Sequence, residues 1–196
     1  MTTDQRVARG ARSRAAITRH AVDVASVEGL SELSIGRLAT DLEMSKSGVA
    51  TLFRSKEQLQ LATVETARQA FLDAVVRPAL DAPQGSARLR ALIERWIAYA
   101  ERPLFPGGCF WAANLPVFDS RPGPVRDALR QQRQAWLDLL AEQIHGAGAT
   151  IGRDADLAAF HIDAVLTAAN LAMRLGEPDA ADKVRRVIDE LLRSAP

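Results

Sequence analysis

Ser45, Lys46 and Ser47 put two hydroxyls and an ammonium into consecutive positions, and Arg54, Ser55 and Lys56 repeat the mixture shortly afterwards. Side chains of these types hold phosphate oxygens, and a residue without a side chain, here Gly48, lets a helix come close to base edges in a groove. Ser34 and Arg37 add a further hydroxyl and cation upstream. This is the chemistry of binding a polyanion, not of breaking bonds. Lys46, Ser47, Gly48, Ala50 and Thr51 are expected to face base edges or the groove floor. Ser34, Arg37, Arg54 and Lys56 are expected to hold phosphates, with Ser45 at the start of the same helix as a further contact.

The spacing of apolar residues says how these groups are carried. Ile35, Leu38, Ala39 and Leu42 fall at i, i+3, i+4 and i+7, one stripe on a short helix opened by Ser34 as N-cap. Glu43 and Met44 leave room only for a tight turn. Ser45 then caps a second short helix whose apolar side is Val49, Leu52 and Phe53. Such a pair buries little between its members; its use is to present the second helix outward, into a major groove. Ser55-Lys56-Glu57-Gln58 has the capping-box pattern, so a third helix starts beside it with its positive end.

The run IGRLATDLEMSKSGVATLFRSKEQL resembles the DNA-binding domain of the TetR family of transcriptional regulators. Ser45, Lys46, Val49, Phe53, Ser55, Lys56, Glu57 and Leu59 match that family's S-K-x-x-[apolar]-x-x-x-F-x-S-K-E-x-L pattern in type and spacing, within a likeness covering roughly residues 12–60. The resemblance implies a homodimer on a double-stranded operator, a small-molecule effector, and a long helix linking the DNA-reading domain to the rest. Three positions depart from the pattern. Glu43 stands where the family has a turn glycine, which predicts a left-handed residue at a cost of about 1 kcal/mol. Ala50 and Leu52 replace an aromatic and a histidine that usually touch phosphate, and Arg54 is expected to replace one of those anchors.

Composition fits this assignment. Of 196 residues, 47% are hydrophobic and 25% charged, enough for a substantial core. One cysteine excludes an internal disulfide, no Cys/His spacing suits a metal, and no cofactor is expected. The polar, arginine-rich start MTTDQRVARGARSR has no apolar core, so no secretory signal is read and a cytoplasmic location is expected. Net charge is +1, but residues 1–56 carry nine Lys/Arg against six Asp/Glu, and the remainder sixteen against eighteen. The positive excess coincides with the helix-turn-helix, as steering to phosphate requires.

Residues 1–10 lack periodicity and read as a mobile arm, whose Arg6 and Arg9 are placed to reach a minor groove or simply to trail in solvent. Ile17, Ala21, Val24 and Ala25 make a helix from about Arg12 to Glu28, ended by Gly29. Lys56 to about Leu80 reads as one helix that Pro78 kinks or ends. DAPQGS, 81–86, is the expected loop between domains. Helices follow at 87–101 and 125–145, separated by a short apolar segment, Cys109–Phe118, limited by Pro116 and closed by DSRPGP; GAGATIG ends the later helix. Phe105–Phe110, FPGGCF, resembles a phrase carried by one subgroup of the TetR family. Between Leu157 and Leu175 fourteen of nineteen residues are apolar, so this helix must be covered on more than one side. Asp163 and Arg174 argue against a membrane span. Either a purely internal core helix or a subunit interface satisfies the pattern. A four-helix interface of two antiparallel helices per subunit is favoured, through Leu157, Ile162, Val165, Leu166, Ala169, Val184, Ile188 and Leu191.

Eight of the ten aromatic residues fall between 96 and 160. Either they pack a core or, with a few polar groups, they line a small-molecule pocket. The candidate lining is Trp96, Tyr99, Phe110, Trp111, Asn114, Phe118, Trp136, Gln143, Phe160 and His161. Cys109 follows two glycines at a helix start, which suits a redox-sensing thiol or merely a small buried residue. Catalysis would need Cys109 with His145 or His161, and nothing fixes that geometry, so no enzyme is expected. The expected fold is all-α with about nine helices: a three-helix helix-turn-helix domain over 1–55 and an effector-binding and dimerisation bundle over 56–196. The expected function is a DNA-binding regulator, a repressor released from a palindrome by a small apolar effector. The alternative is a helical dimer that binds a ligand or protein and has weakened its DNA contacts.

Overall fold

The computed structural model describes residues 3–147 and 154–193, all helix, turn and loop. Among the described residues there are nine helices once the long fourth one is taken whole. They are α1 (Thr3–Glu28), α2 (Ile35–Asp41), α3 (Lys46–Leu52), α4, α5 (Ser86–Glu101), α6 (Phe110–Phe118), α7 (Pro124–Gly146), α8 (Ala155–Arg174) and α9 (Ala180–Arg193). Helix α4 runs Lys56–Phe71, passes through a π-helical turn, Leu72–Val76, and closes with Arg77–Ala79. No described helix is long and apolar enough to cross a membrane.

The chain divides into two compact units, neither continuous in sequence. One holds the chain up to Gln69 together with Phe105–Leu129; the other holds Ala70–Leu104 and the chain from Arg130 onward. Compactness thus divides the molecule differently from the division by role expected at 55/56. The 81–86 loop lies within one unit, together with the end of α4 from Ala70 onward and the whole of α5.

In the first unit Ile17, Ala21, Val22 and Ala25 of α1 pack with Leu30, Leu33, Leu38, Val49 and Phe53, all essentially without solvent contact. Gly29 follows α1 at φ 93° and ψ 154°, an extended positive-φ conformation open to glycine rather than the left-handed helical cap. Two expectations fail here for physical reasons. Residues 3–10 are helical, not an irregular arm: Val7 is 67% exposed, so a helix here needs no buried apolar stripe and shows no apolar periodicity. Pro116 sits inside α6, which runs on to Phe118; a proline removes one hydrogen bond without necessarily ending a helix.

In the second unit Pro78 is preceded by the π turn, where the Arg77 N–H donates to the Leu72 carbonyl five residues back. That extra residue per turn is one way a helix accommodates a proline ring. The 81–86 loop is pinned by Arg88, which donates to the carbonyls of Ala82 at 3.0 Å and Leu80 at 3.1 Å. Gln143 accepts the Gly85 N–H at 3.3 Å. Helix α7 ends at Gly146, and the rest of GAGATIG beyond Ala147 lies outside the described residues.

Candidate nucleic-acid interface

Both expected serine caps are present. Ser34 Oγ accepts the Arg37 N–H and Ser45 Oγ the Gly48 N–H, each at 3.1 Å, while Ser55 Oγ accepts the Gln58 N–H at 3.1 Å. A serine that caps by accepting keeps its own O–H free to donate, so Ser34 and Ser45 retain a phosphate donor. Between α2 and α3 the Met44 N–H reaches the Ala39 carbonyl at 2.8 Å and the Glu43 N–H reaches the Thr40 carbonyl at 3.2 Å. That is a Schellman turn, and Glu43 holds its left-handed position at φ 53°, as its place in the sequence predicts.

Helix α3 turns Val49 inward and leaves Lys46, Ser47, Ala50 and Thr51 exposed, with Ser45, Arg54, Lys56 and Ser34 exposed around it. Gly48 has a local reason to lack a side chain: a Cβ there would stand 2.9 Å from the Ser45 hydroxyl and dislodge the cap. The Thr51 hydroxyl donates to the Ser47 carbonyl at 2.8 Å.

Two of the cations expected on phosphate are engaged within the chain. Arg37 makes a two-pronged pair with Glu28, its Nη2 2.7 Å from Oε1, and stands 3.6 Å from Asp41. His20 Nε2 is 3.0 Å from the same Asp41 carboxylate. The Arg37 hydrogen bond holds the Glu28 carboxyl below its usual range, and the His20 bond does the same for Asp41. Lys56 Nζ donates to the Ser31 carbonyl and keeps two further N–H donors. Sequence reading missed Arg14, whose Nη1 donates to the Leu52 carbonyl at 2.7 Å and whose guanidinium lies 4.4 Å from the centre of the Phe53 ring. No local pattern marks a contact across that distance in sequence. Arg9 is exposed along α1, and the side chain of Arg6 lies outside the described residues.

The ten effector candidates are shared between the units: Phe110, Trp111, Asn114 and Phe118 belong to the first, the other six to the second. Asn114 is completely buried, and its amide is spent on protein: Oδ1 accepts the Leu30 N–H at 2.7 Å, and Nδ2 donates to the carbonyls of Ala25 at 3.1 Å and Phe110 at 2.8 Å. Phe110 meets Phe105 and Trp111 edge-on, and Phe118 lies beneath Arg121. In the second unit Tyr99 and Trp136 each meet Phe71 edge-on at 5.5 Å, and Trp96 is buried. Phe71 is the member of this aromatic group that the sequence reading left out. Phe160 and His161 are both exposed, because α8 buries the side bearing Ala158, Ala159, Ile162 and Leu166. An open cleft of about 370 Å3 in the same unit is lined by Glu101, Pro103, Met173, Arg174 and their neighbours, none of them a candidate.

The interface candidates are also redistributed. Ile162, Leu166, Ala169, Val184 and Ile188 are buried inside the protomer, between α8, α9 and the rest of their unit. Val165 and Leu191 are half-buried. Of the eight, Leu157 alone is exposed, at 51%, and it shares its face with Phe160, Leu171 and Leu175. A helix apolar nearly all round does not announce which side its own protomer covers.

Residues 85–188 match the family described as "Tetracyclin repressor-like, C-terminal domain". No curated protein matches the chain in sequence. Among solved structures, a TetR transcriptional regulator from Chloroflexus aurantiacus J-10-FL is similar at 23% identity and TM-score 0.81, with 94% of each chain covered. A TetR-family regulator from Agrobacterium tumefaciens is similar at 18% identity and TM-score 0.80, covering 92% of this chain and 98% of its own. AibR, whose structure holds isovaleryl coenzyme A and operator DNA, is similar at 20% identity and TM-score 0.72, with 92% and 98% covered.

Proposed function

The chain belongs to the tetracyclin repressor-like (TetR) family, and on that premise we propose that it is a homodimeric DNA-binding repressor released from its operator by a small molecule. The observation that carries the reading is the exposed face of α3, where Lys46, Ser47, Ala50 and Thr51 stand clear of the protein on a helix closed by Ser45. Two such helices, one per subunit, read successive major grooves about 34–36 Å apart on a palindrome. Residues 1–55 do the reading, and 56–196 bind the effector and the second subunit. The protein works in the cytoplasm, and the FPGGCF run supports placing it in the subgroup that carries that phrase.

Phosphates are held by Ser34, Arg54 and the two free donors of Lys56. Arg37 joins them only by sharing or leaving its carboxylates. Lys56→Ala is therefore expected to weaken binding to every duplex and to lower the slope of log K against log salt by about one unit. An unchanged slope removes Lys56 from the contacts; binding that is insensitive to salt in the unaltered protein removes the DNA-binding function itself.

For the effector, the aromatic groups around Phe71 and Phe110 favour an uncharged or weakly polar organic molecule. It acts only by binding two arrangements of the protein unequally, and a tenfold change in operator affinity needs about 1.4 kcal/mol of coupling. Trp111 and Trp136 sit in these groups, so tryptophan emission is expected to shift when an effector binds. An effector that releases DNA without changing emission would place its site elsewhere.

A further inference from the structure

Helix α3 is about two turns long, too short for its few hydrogen bonds to offset the cost of starting a helix, and its last carbonyls have no partner within it. Ser45 closes its amino end. Its carboxyl end meets Arg14 of α1, 38 positions away in sequence. One planar cation there does two things: it donates to the Leu52 carbonyl at 2.7 Å and covers the face of Phe53, the residue that follows the helix. The Phe53 ring is 1% exposed and its N–H donates to the Val49 carbonyl at 3.1 Å, so what Arg14 grips is itself fixed. A cation at a helix carboxyl end also meets the negative end of the helix dipole. A lysine can make the one bond, but its ammonium cannot keep the bond and the flat stacking together.

We propose that Arg14 is a positioning residue for DNA reading. It fixes the carboxyl end of α3, and hence the angle at which Lys46, Ser47, Ala50 and Thr51 are offered, without touching DNA. This inference rests on the DNA-binding reading above. Arg14 is exposed, so the competing use of its charge is a phosphate contact. The two uses differ in what they do to salt dependence and to discrimination between sequences. An arginine on phosphate adds about 0.9 to the salt slope whatever the sequence. A positioning arginine adds nothing to the slope and acts where base edges are read.

The test uses a duplex that the unaltered protein selects from a random-sequence pool, an unrelated duplex, and the variants Arg14→Gln and Arg14→Lys. Both variants are expected to lose about tenfold in affinity for the selected duplex. They keep their affinity for the unrelated one, and Arg14→Gln keeps the salt slope. In the free proteins, amides 49–53 are expected to exchange with solvent faster while amides 21–25 of α1 keep their protection. The proposal is overturned if Arg14→Gln lowers the slope and weakens both duplexes equally while Arg14→Lys restores binding, which is a phosphate contact. It is overturned too if affinity for the selected duplex does not change, or if protection falls equally at 21–25 and 49–53, which is general destabilisation. Failure of the unaltered protein to select any sequence overturns the DNA-binding reading beneath it.

Discussion

Glu43 holds a backbone conformation that L-residues other than asparagine and aspartate seldom adopt, and it does so at the turn between the two short helices. The Schellman bonds of Met44 and Glu43 keep it there. Removing its Cβ relieves that strain, offset in part by the greater freedom glycine has in the unfolded chain. Glu43→Gly is therefore expected to stabilise the protein by about 0.5–1 kcal/mol, read as a higher urea midpoint at constant slope. A midpoint that falls would mean that the Glu43 side chain contributes more than its backbone strain costs. This residue was legible through the resemblance, because Glu43 stands where the family's pattern has a turn glycine. Arg14 was not: an arginine in an exposed helical stretch looks like any other until the chain has folded. The same holds for the pairing of Arg37, whose type suits phosphate but whose main partner Glu28 reaches it only through the packing of α1 on α2, while Asp41 lies four residues on along α2 itself.

At the scale of elements, the segment from Phe105 to Phe118 belongs with α1 and the helix-turn-helix in one compact unit. Gly107 lies so close to α1 that a Cβ would fall 1.8 Å from the Ser26 carbonyl oxygen, and its N–H donates to Ser26 Oγ at 2.9 Å. Asn114 completes the attachment by taking the buried Leu30 N–H, while Gln60 of α4 donates to the Leu30 carbonyl at 2.8 Å. The short turn Leu30–Glu32 that leads into α2 is thus held from two sides. Asn114→Leu keeps the branched shape, with bulkier methyl ends, but leaves the Leu30 N–H buried without a partner, and is expected to cost about 1–3 kcal/mol. Its urea midpoint should drop accordingly, and a midpoint within error of the unaltered protein would show that water or a shifted backbone satisfies that N–H. The helices themselves were legible, often to within a residue, since caps and stripes are local. The docking of α6 was not, because an asparagine beside aromatics reads equally well as pocket lining. Its three hydrogen bonds run mainly to residues more than eighty positions earlier.

For the whole molecule, the proposed homodimer needs a surface that meets a second subunit, and burial in α8 narrows the choice. Leu157, Ala164 and Leu171 are spaced seven apart, and Ala168 and Leu175 continue the stripe; all five are exposed. At 1.5 Å per residue this stripe is about 27 Å long, and two alanines near its middle let a partner helix approach closely. Leu157, Phe160, Leu171 and Leu175 remain 51%, 53%, 61% and 73% exposed. Large apolar side chains in one uninterrupted line mark an interaction surface more often than a free one. Leu166 sits on the opposite side of the same helix and is 1% exposed. A glutamate therefore does different things at the two positions. Leu171→Glu is expected to give a folded monomer, helical by circular dichroism and with half the dimer's mass by light scattering. Leu166→Glu buries a charge with no partner and is expected to unfold or aggregate, since such a change commonly costs more than about 3 kcal/mol. A Leu171→Glu protein that remains a dimer would move the interface to another face, and a Leu166→Glu protein that folds as a monomer would return it to the side of α8 that its own protomer covers.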